Sequence, residues 1–277
     1  MTSAPLYAAP RRDVCIDDCF FYHLTDLPGL GQVGGDWDLT DVTDDYLGRI
    51  DYSGKRALDI GAASGYLSFQ MEARGADVVS FDLCSGKSWN VVPLAANQHK
   101  FESDSRGREV CHSRLQNAYW FCHQRLNSKA QVHYGDVYQL PLELGNFDIV
   151  FLGMILPHLR DPFQAIYSAS RLAADTLIIT NPGRKTRLID RLFGRSYQAK
   201  FLPSKSNNLV DAWWALSSSC TERMLGTVGF EVVDRIPCKG VLRRNGQARI
   251  SRNLSIVAKR VRGQAEGVAP TAAVAAA

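Results

Sequence analysis

The stretch from Ala57 to Glu72, ALDIGAASGYLSFQME, constrains the fold more than any other part of this 277-residue chain. Ala57-Leu58-Asp59-Ile60 is an apolar run of strand length, and Tyr66 to Glu72 reads as a helix, so Gly61-Ala62-Ala63-Ser64-Gly65 must turn the chain between them. Glycine permits backbone angles closed to other residues and lets a ligand approach the main chain, while the first amides of a helix have no partner within it. A strand, a bare turn and a helix in that order suit a nucleotide-like ligand.

From residue 57 onward strand-like and helix-like segments alternate, which predicts an α/β fold with a mostly parallel sheet and helices on both faces. The strands read from the sequence are 57–60, 77–81, 131–134, 147–152, 176–180, 230–236 and 254–259. A helix around Cys220 to Val228 precedes the sixth strand, and no helix-period segment separates the sixth from the seventh. The expectation is therefore a Rossmann-like, seven-stranded sheet that finishes in an antiparallel edge hairpin.

Three segments exceed what such a core needs. Residues 1–53 precede the first strand as an N-terminal cover, 84–129 form an oversized connection with a helical run from about Ser105 to Leu126, and 181–218 separate the fifth strand from the next helix. Long connections around a compact core serve as covers or binding loops. Residues 54–262 then form one domain carrying the two insertions, and 263–277, ending APTAAVAAA, read as a disordered tail. The chain has no apolar run of about 18 residues and no charged start followed by an apolar block, so it is read as cytoplasmic, with no membrane partner. Its seven cysteines are scattered and never spaced as CxxC, which signals neither a disulfide framework nor a metal site.

Asp82 ends the second strand, 21 residues after Gly61. An acidic side chain there can accept hydrogen bonds from both hydroxyls of a ribose, as in dinucleotide folds. The pair alone would fit NAD as well, but the fingerprint GxGxxG is absent, with Ala63 at its second glycine position.

Leu58-Asp59-Ile60-Gly61-Ala62-Ala63-Ser64-Gly65 resembles the first motif of the class I S-adenosylmethionine-dependent methyltransferases. Val79-Ser80-Phe81-Asp82 is similar to that family's ribose-binding strand end, Tyr134-Gly135-Asp136-Val137 to its adenine-contacting turn, and Phe147 to Gly153 to the strand lining its methyl-transfer cleft. The resemblance runs in order over roughly residues 55–260. It implies S-adenosyl-L-methionine as cofactor and S-adenosyl-L-homocysteine as product, held by Asp59, Gly61, Ala62, Ala63, Gly65, Asp82, Leu83, Asp136, Val137, Leu152 and Gly153. In it the main chain at Gly61 and Ala63 faces the methionine part, Gly65 lets the helix pack close, and Asp59 acts on the methionyl ammonium or orders the turn. Asp82 takes the ribose, and Asp136 the adenine amine. A narrower likeness lies in Asp211-Ala212-Trp213-Trp214-Ala215-Leu216 and the following Cys220 to Leu225, similar to the Trp-Trp segment of enzymes related to tRNA wobble-uridine methyltransferases.

Methyl transfer from a sulfonium is an in-line displacement, so the protein's part is positioning and exclusion of water, with a base where the acceptor must lose a proton. His158, just past the fourth strand, is the candidate base, since imidazole titrates near neutrality. Tyr22, His23, Trp37, Met154, Trp213 and Trp214 are candidate walls of an acceptor pocket, with Arg184, Lys185 and Arg187 placed to meet an anionic group. Tyr119-Trp120-Phe121, on the long connection's helix, reads as core. The net charge is only +4, but Lys239 to Arg262 holds basic residues and no acidic ones. The favoured reading is transfer of a methyl group to a small aromatic or anionic acceptor on oxygen, nitrogen or carbon in specialised biosynthesis. A tRNA-modifying enzyme and a non-catalytic cofactor-binding protein are the alternatives.

Overall fold

The computed structural model describes residues 5–84, 101–182, 197–204, 211–244 and 247–261. Near the N-terminus, β1 (Thr25–Leu27) and β2 (Gly31–Val33) form their own hairpin, followed by β3 (Trp37–Asp38) and a short helix α1 (Thr43–Tyr46). The alternation then runs β4 (Arg56–Ile60), α2 (Tyr66–Ala73), β5 (Asp77–Leu83), α3 (Phe101–Arg125), β6 (Gln131–Gly135), β7 (Phe147–Gly153), α4 (Pro162–Ser170) and β8 (Ala173–Pro182). A small antiparallel pair, β9 (Ala199–Phe201) with β10 (Trp214–Leu216), precedes helix α5 (Ser218–Thr227) and the long strands β11 (Phe230–Arg244) and β12 (Gln247–Arg260).

The main sheet has the order β3-β11-β12-β8-β7-β4-β5-β6. Strands β4 to β8 are mutually parallel, and β12 runs antiparallel to both β8 and β11. This is the expected Rossmann-like sheet with eight strands rather than seven. The last two strands pair antiparallel as the expected hairpin, with one further short strand outside them. β12 is inserted between β8 and β11, and the outer edge belongs to β3, which pairs Trp37 and Asp38 with Leu242 and Val241.

The apolar runs of the strands reflect burial on both faces. Successive residues alternate sides: Leu58, Ile60, Val79, Phe81, Val150, Leu152, Leu177 and Ile179 join the core beneath α4 and α5, while Ala57, Val78, Ile149, Phe151 and Ile178 join the core facing α1 and α2. Helix starts follow their caps. The Asp161 carboxylate accepts from the Gln164 amide at 2.9 Å before Pro162, and Ser217 Oγ accepts from Cys220 at the start of α5. Tyr119, Trp120 and Phe121 are core, packed with Phe69 and Val132.

The N-terminal segment does more than cover. Besides supplying β3, it runs beside β6, where the Ala8 amide donates to the Val132 carbonyl at 2.8 Å and His133 Nδ1 donates to the Leu6 carbonyl at 2.6 Å. Among the described residues no helix is long and apolar enough to cross a membrane. The expected tail, and Arg184, Lys185 and Arg187, lie outside the described residues.

Candidate active site

Strands β5 and β6 continue the sheet on one side of β4, and β7 and β8 on the other. The strand order therefore reverses between β4 and β7, and the crevice outside the carboxyl ends of such a pair is where open α/β sheets bind ligands. Residues 61–65 occupy that end of β4, and residues 153–158 that end of β7.

The turn needs its glycines for conformation and for packing. Gly61 and Gly65 have φ of 88° and 87°, and Ala63 is held at 52°, in the left-handed region that alanine avoids. A Cβ at Gly61 would stand 2.3 Å from Ile155 Cγ2, so the turn is covered here by a side chain from beyond β7. At Gly65 a Cβ would stand 2.4 Å from the Phe69 ring and 2.7 Å from Tyr119, which is the close helix packing expected of this position.

Asp59 lies beneath the turn at 1% exposure and accepts from Ser68 Oγ at 2.6 Å. Ser68 in turn accepts from Ser80, and Ser80 meets the Tyr119 hydroxyl at 2.8 Å. Burial pushes the Asp59 carboxyl up to about 7; Ser68's hydrogen bonds oppose that shift and the Asp82 charge adds to it. It is thus buried and tied to α2 through the Ser68 hydroxyl.

Asp82 is arranged differently. Its side chain is 19% exposed, Oδ2 accepts from the Ala63 amide at 2.6 Å, and Oδ1 accepts from the Leu83 amide at 2.6 Å. Across β6, Asp136 is exposed and takes the Tyr138 amide at 2.9 Å, closing the turn that also presents Val137. Gly135 permits close packing, since a Cβ there would meet the Phe81 ring at 3.0 Å and His133 at 3.1 Å. Leu83, Asp136 and Val137 thus sit at adjacent strand ends, beside Asp82.

On the other flank, Leu152 is buried in the sheet, Gly153 ends β7, and Met154 has φ of 56° with its amide donating to the Thr180 carbonyl at 3.0 Å. His158 is exposed, and its Nδ1 donates to the Asp211 carbonyl. That bond fixes the proton on Nδ1 and leaves Nε2 as the acceptor of the neutral ring. The Trp213 amide donates to the Pro157 carbonyl at 2.7 Å and the Trp214 indole to the Arg160 carbonyl at 3.0 Å, so the Trp-Trp segment is tied to the His158 loop. Trp213 is buried and stacks on Phe201, whereas Trp214 is half-buried.

Tyr22 and His23 meet the turn through Ser64, which sequence reasoning passed over: the buried Ser64 Oγ accepts from their amides at 3.2 and 3.4 Å. His23 is buried against the Tyr22 and Tyr66 rings, and desolvation pushes its imidazole down to about 3, so it is neutral at physiological pH. Trp37 is committed to β3, half-buried. Ile155, His112 and Gln116 also border the site without having been singled out from the sequence. The last two are polar residues four apart on a helix whose neighbouring positions Leu115, Ala118, Tyr119 and Cys122 are buried apolar, and that break in the pattern was the available signal.

A polar concavity is lined by Thr40, Asp44, Tyr66, Gln70 and Arg74, and its Arg74 and Asp44 are ion-paired at 2.7 Å.

No family model matches the chain. A curated relative, the ubiquinone biosynthesis O-methyltransferase of Aromatoleum aromaticum, is 27% identical over 162 residues, or 57% of each chain, so the match spans little more than half of that enzyme's length. Among solved structures, the magnesium protoporphyrin IX methyltransferase of Synechocystis PCC 6803 superposes with a TM-score of 0.47 at 16% identity, covering 80% of this chain and 82% of that one. A protein from Pyrococcus horikoshii described as an RNA methyltransferase gives 0.48 at 16% identity, covering 80% and 85%.

Proposed function

We propose that this chain is an S-adenosylmethionine-dependent methyltransferase acting on a small-molecule acceptor in a biosynthetic reaction in the cytoplasm. The observation that carries the reading is the Asp82 carboxylate at the end of β5, hydrogen-bonded to the Ala63 amide where the strand order reverses. A partly exposed carboxylate next to a glycine turn suits a ribose, and the exposed Asp136 beside Val137 suits the amine and face of an adenine. The bound cofactor supplies an electrophilic methyl group. The chain's own residues orient the acceptor and exclude water. Residues 1–53 and the insertions at 84–129 and 181–218 act as covers, with Tyr22, His23, Met154, Trp213 and Trp214 as acceptor walls. Oxygen is the favoured acceptor atom because the curated relative is named for O-methylation. His158 takes the acceptor's proton on Nε2, a role supported by its Nδ1 bond to the Asp211 carbonyl. The test is a screen of phenolic, carboxylic and amine acceptors with isotopically labelled cofactor, read by product mass. Labelled product with a small acceptor is expected; cofactor turnover with none of them, alongside labelling of bulk tRNA, would contradict the reading.

One feature supports an anionic acceptor and keeps the tRNA reading in view. Asn253 of β12 is opposite Pro182 at the end of β8, so the ribbon of 239–244 with 247–252 continues past the carboxyl edge of the sheet. Its exposed residues include Lys239, Arg243, Arg249 and Arg252. Submicromolar binding of tRNA that falls steeply with salt would favour the second reading.

A further inference from the structure

Helix α3 sends two polar side chains, one turn apart, to the end of β5: His112 and Gln116 are 4% and 2% exposed. Gln116 is bonded through both ends of its amide. Its Nε2 donates to the Leu83 carbonyl at 3.0 Å, and its Oε1 accepts from Arg11 at 2.6 Å. Arg11 also donates to Asn117 at 2.7 Å, so the N-terminal segment clamps this part of the helix against the strand end. His112 is as deeply buried, yet its Nε2 is sealed and has no hydrogen-bond partner among the described residues. Asp82 Oδ1 stands 3.9 Å away, beyond hydrogen-bond reach.

A buried polar atom with no partner is uncommon and costly, and such an atom beside a ligand-binding carboxylate is explained if the ligand completes it. A hydroxyl can donate to one group and accept from another, whereas a carboxylate only accepts and an imidazole N–H only donates. An oxygen lying between His112 and Asp82 satisfies both. We propose that His112 is a ribose-binding residue: its Nε2–H donates to a ribose hydroxyl of the adenosyl cofactor, and the same hydroxyl donates to the Asp82 carboxylate. This rests on the cofactor reading above. It also assigns a selectivity, because a site that supplies a donor as well as an acceptor discriminates against analogues lacking the hydroxyl.

The test is calorimetric titration of wild type, His112→Leu, His112→Ala and His112→Gln with S-adenosylhomocysteine and its 2′-deoxy and 3′-deoxy analogues, with melting temperatures of the ligand-free proteins. The two donor-removing variants are expected to bind S-adenosylhomocysteine about tenfold more weakly. One of the deoxy analogues should bind them within about twofold of wild type, since the lost contact is absent from that ligand already. His112→Gln keeps a donor and should recover most of the affinity. Ligand-free His112→Leu should melt no lower than wild type, because it removes an unpartnered polar atom. If wild type binds S-adenosylhomocysteine and both donor-removing variants match it, or if all three ligands weaken equally together with the melting temperature, His112 is an ordinary core residue. If wild type binds none of the ligands, the cofactor reading fails and this assignment with it.

Discussion

His23 and Asp59 are both buried beside the glycine turn, and burial shifts them in opposite directions, to about 3 and about 7. Below its unfolded pKa of about 6.5 a free histidine is protonated while folded His23 is not, so the His23 term lowers stability as pH falls from about 6.5 toward 3. Asp59 works the other way: the folded carboxyl holds its proton where the unfolded one has lost it, so its term lowers stability as pH rises from about 4 to 7. The two largely cancel between about pH 4.5 and 6.5. His23→Gln should therefore lose stability as pH rises through that window, and Asp59→Asn should gain it, each by up to about 1.4 kcal/mol per pH unit. Urea midpoints at stepped pH read the slopes; slopes of the same sign in both variants would contradict these environments. At His158 the expectation is kinetic. His158→Ala should leave cofactor affinity unchanged and lower turnover about a hundredfold, with partial rescue at high pH. Equal single-turnover rates across a pH series would remove it as the base. The burial of Asp59 was not legible in the sequence, where an acidic residue before a glycine turn looks equally able to meet a ligand or order the turn.

The turn 61–65 links two elements that are distant in sequence, with Ala63 held by Asp82 on one side and Ser64 holding Tyr22 and His23 on the other. Ser64→Ala removes the acceptor of two amides and should lower the melting temperature by several degrees, for a loss of about 1–3 kcal/mol, while exposing residues before β4 to limited proteolysis. An unchanged digestion pattern would mean that the N-terminal segment is fastened elsewhere. Gly65→Ala combines a strained φ with a Cβ 2.4 Å from Phe69 and should destabilise by about 2 kcal/mol or more, read as a fall in urea midpoint. A midpoint within error of wild type would refute the packing described at that turn. The strands β4 to β8 were legible because doubly buried parallel strands are apolar throughout. β3 was not, since two residues carry no period, and β11 and β12 run on past 236 and before 254 because the exposed ribbon there carries Lys239, Arg243, Arg249 and Arg252 instead of an apolar pattern.

For the whole molecule, the sequence motifs named Asp82, Leu83, Asp136 and Val137, and the sheet brings their strand ends side by side. What the motifs could not convey is which groups from outside them reach the same place. Ile155 on Gly61, His112 beside Asp82 and the Asp211 carbonyl on His158 are all tertiary meetings across dozens of residues, with no local spacing to announce them. The account turns on the end of β5 being a ribose site, and titration calorimetry of S-adenosylhomocysteine into wild type and Asp82→Ala tests that most directly, with NAD as control. Micromolar binding to wild type, a loss of about 1–3 kcal/mol in the variant and no heat with NAD are predicted. Equal affinity in the two proteins, or tighter binding of NAD, would contradict it.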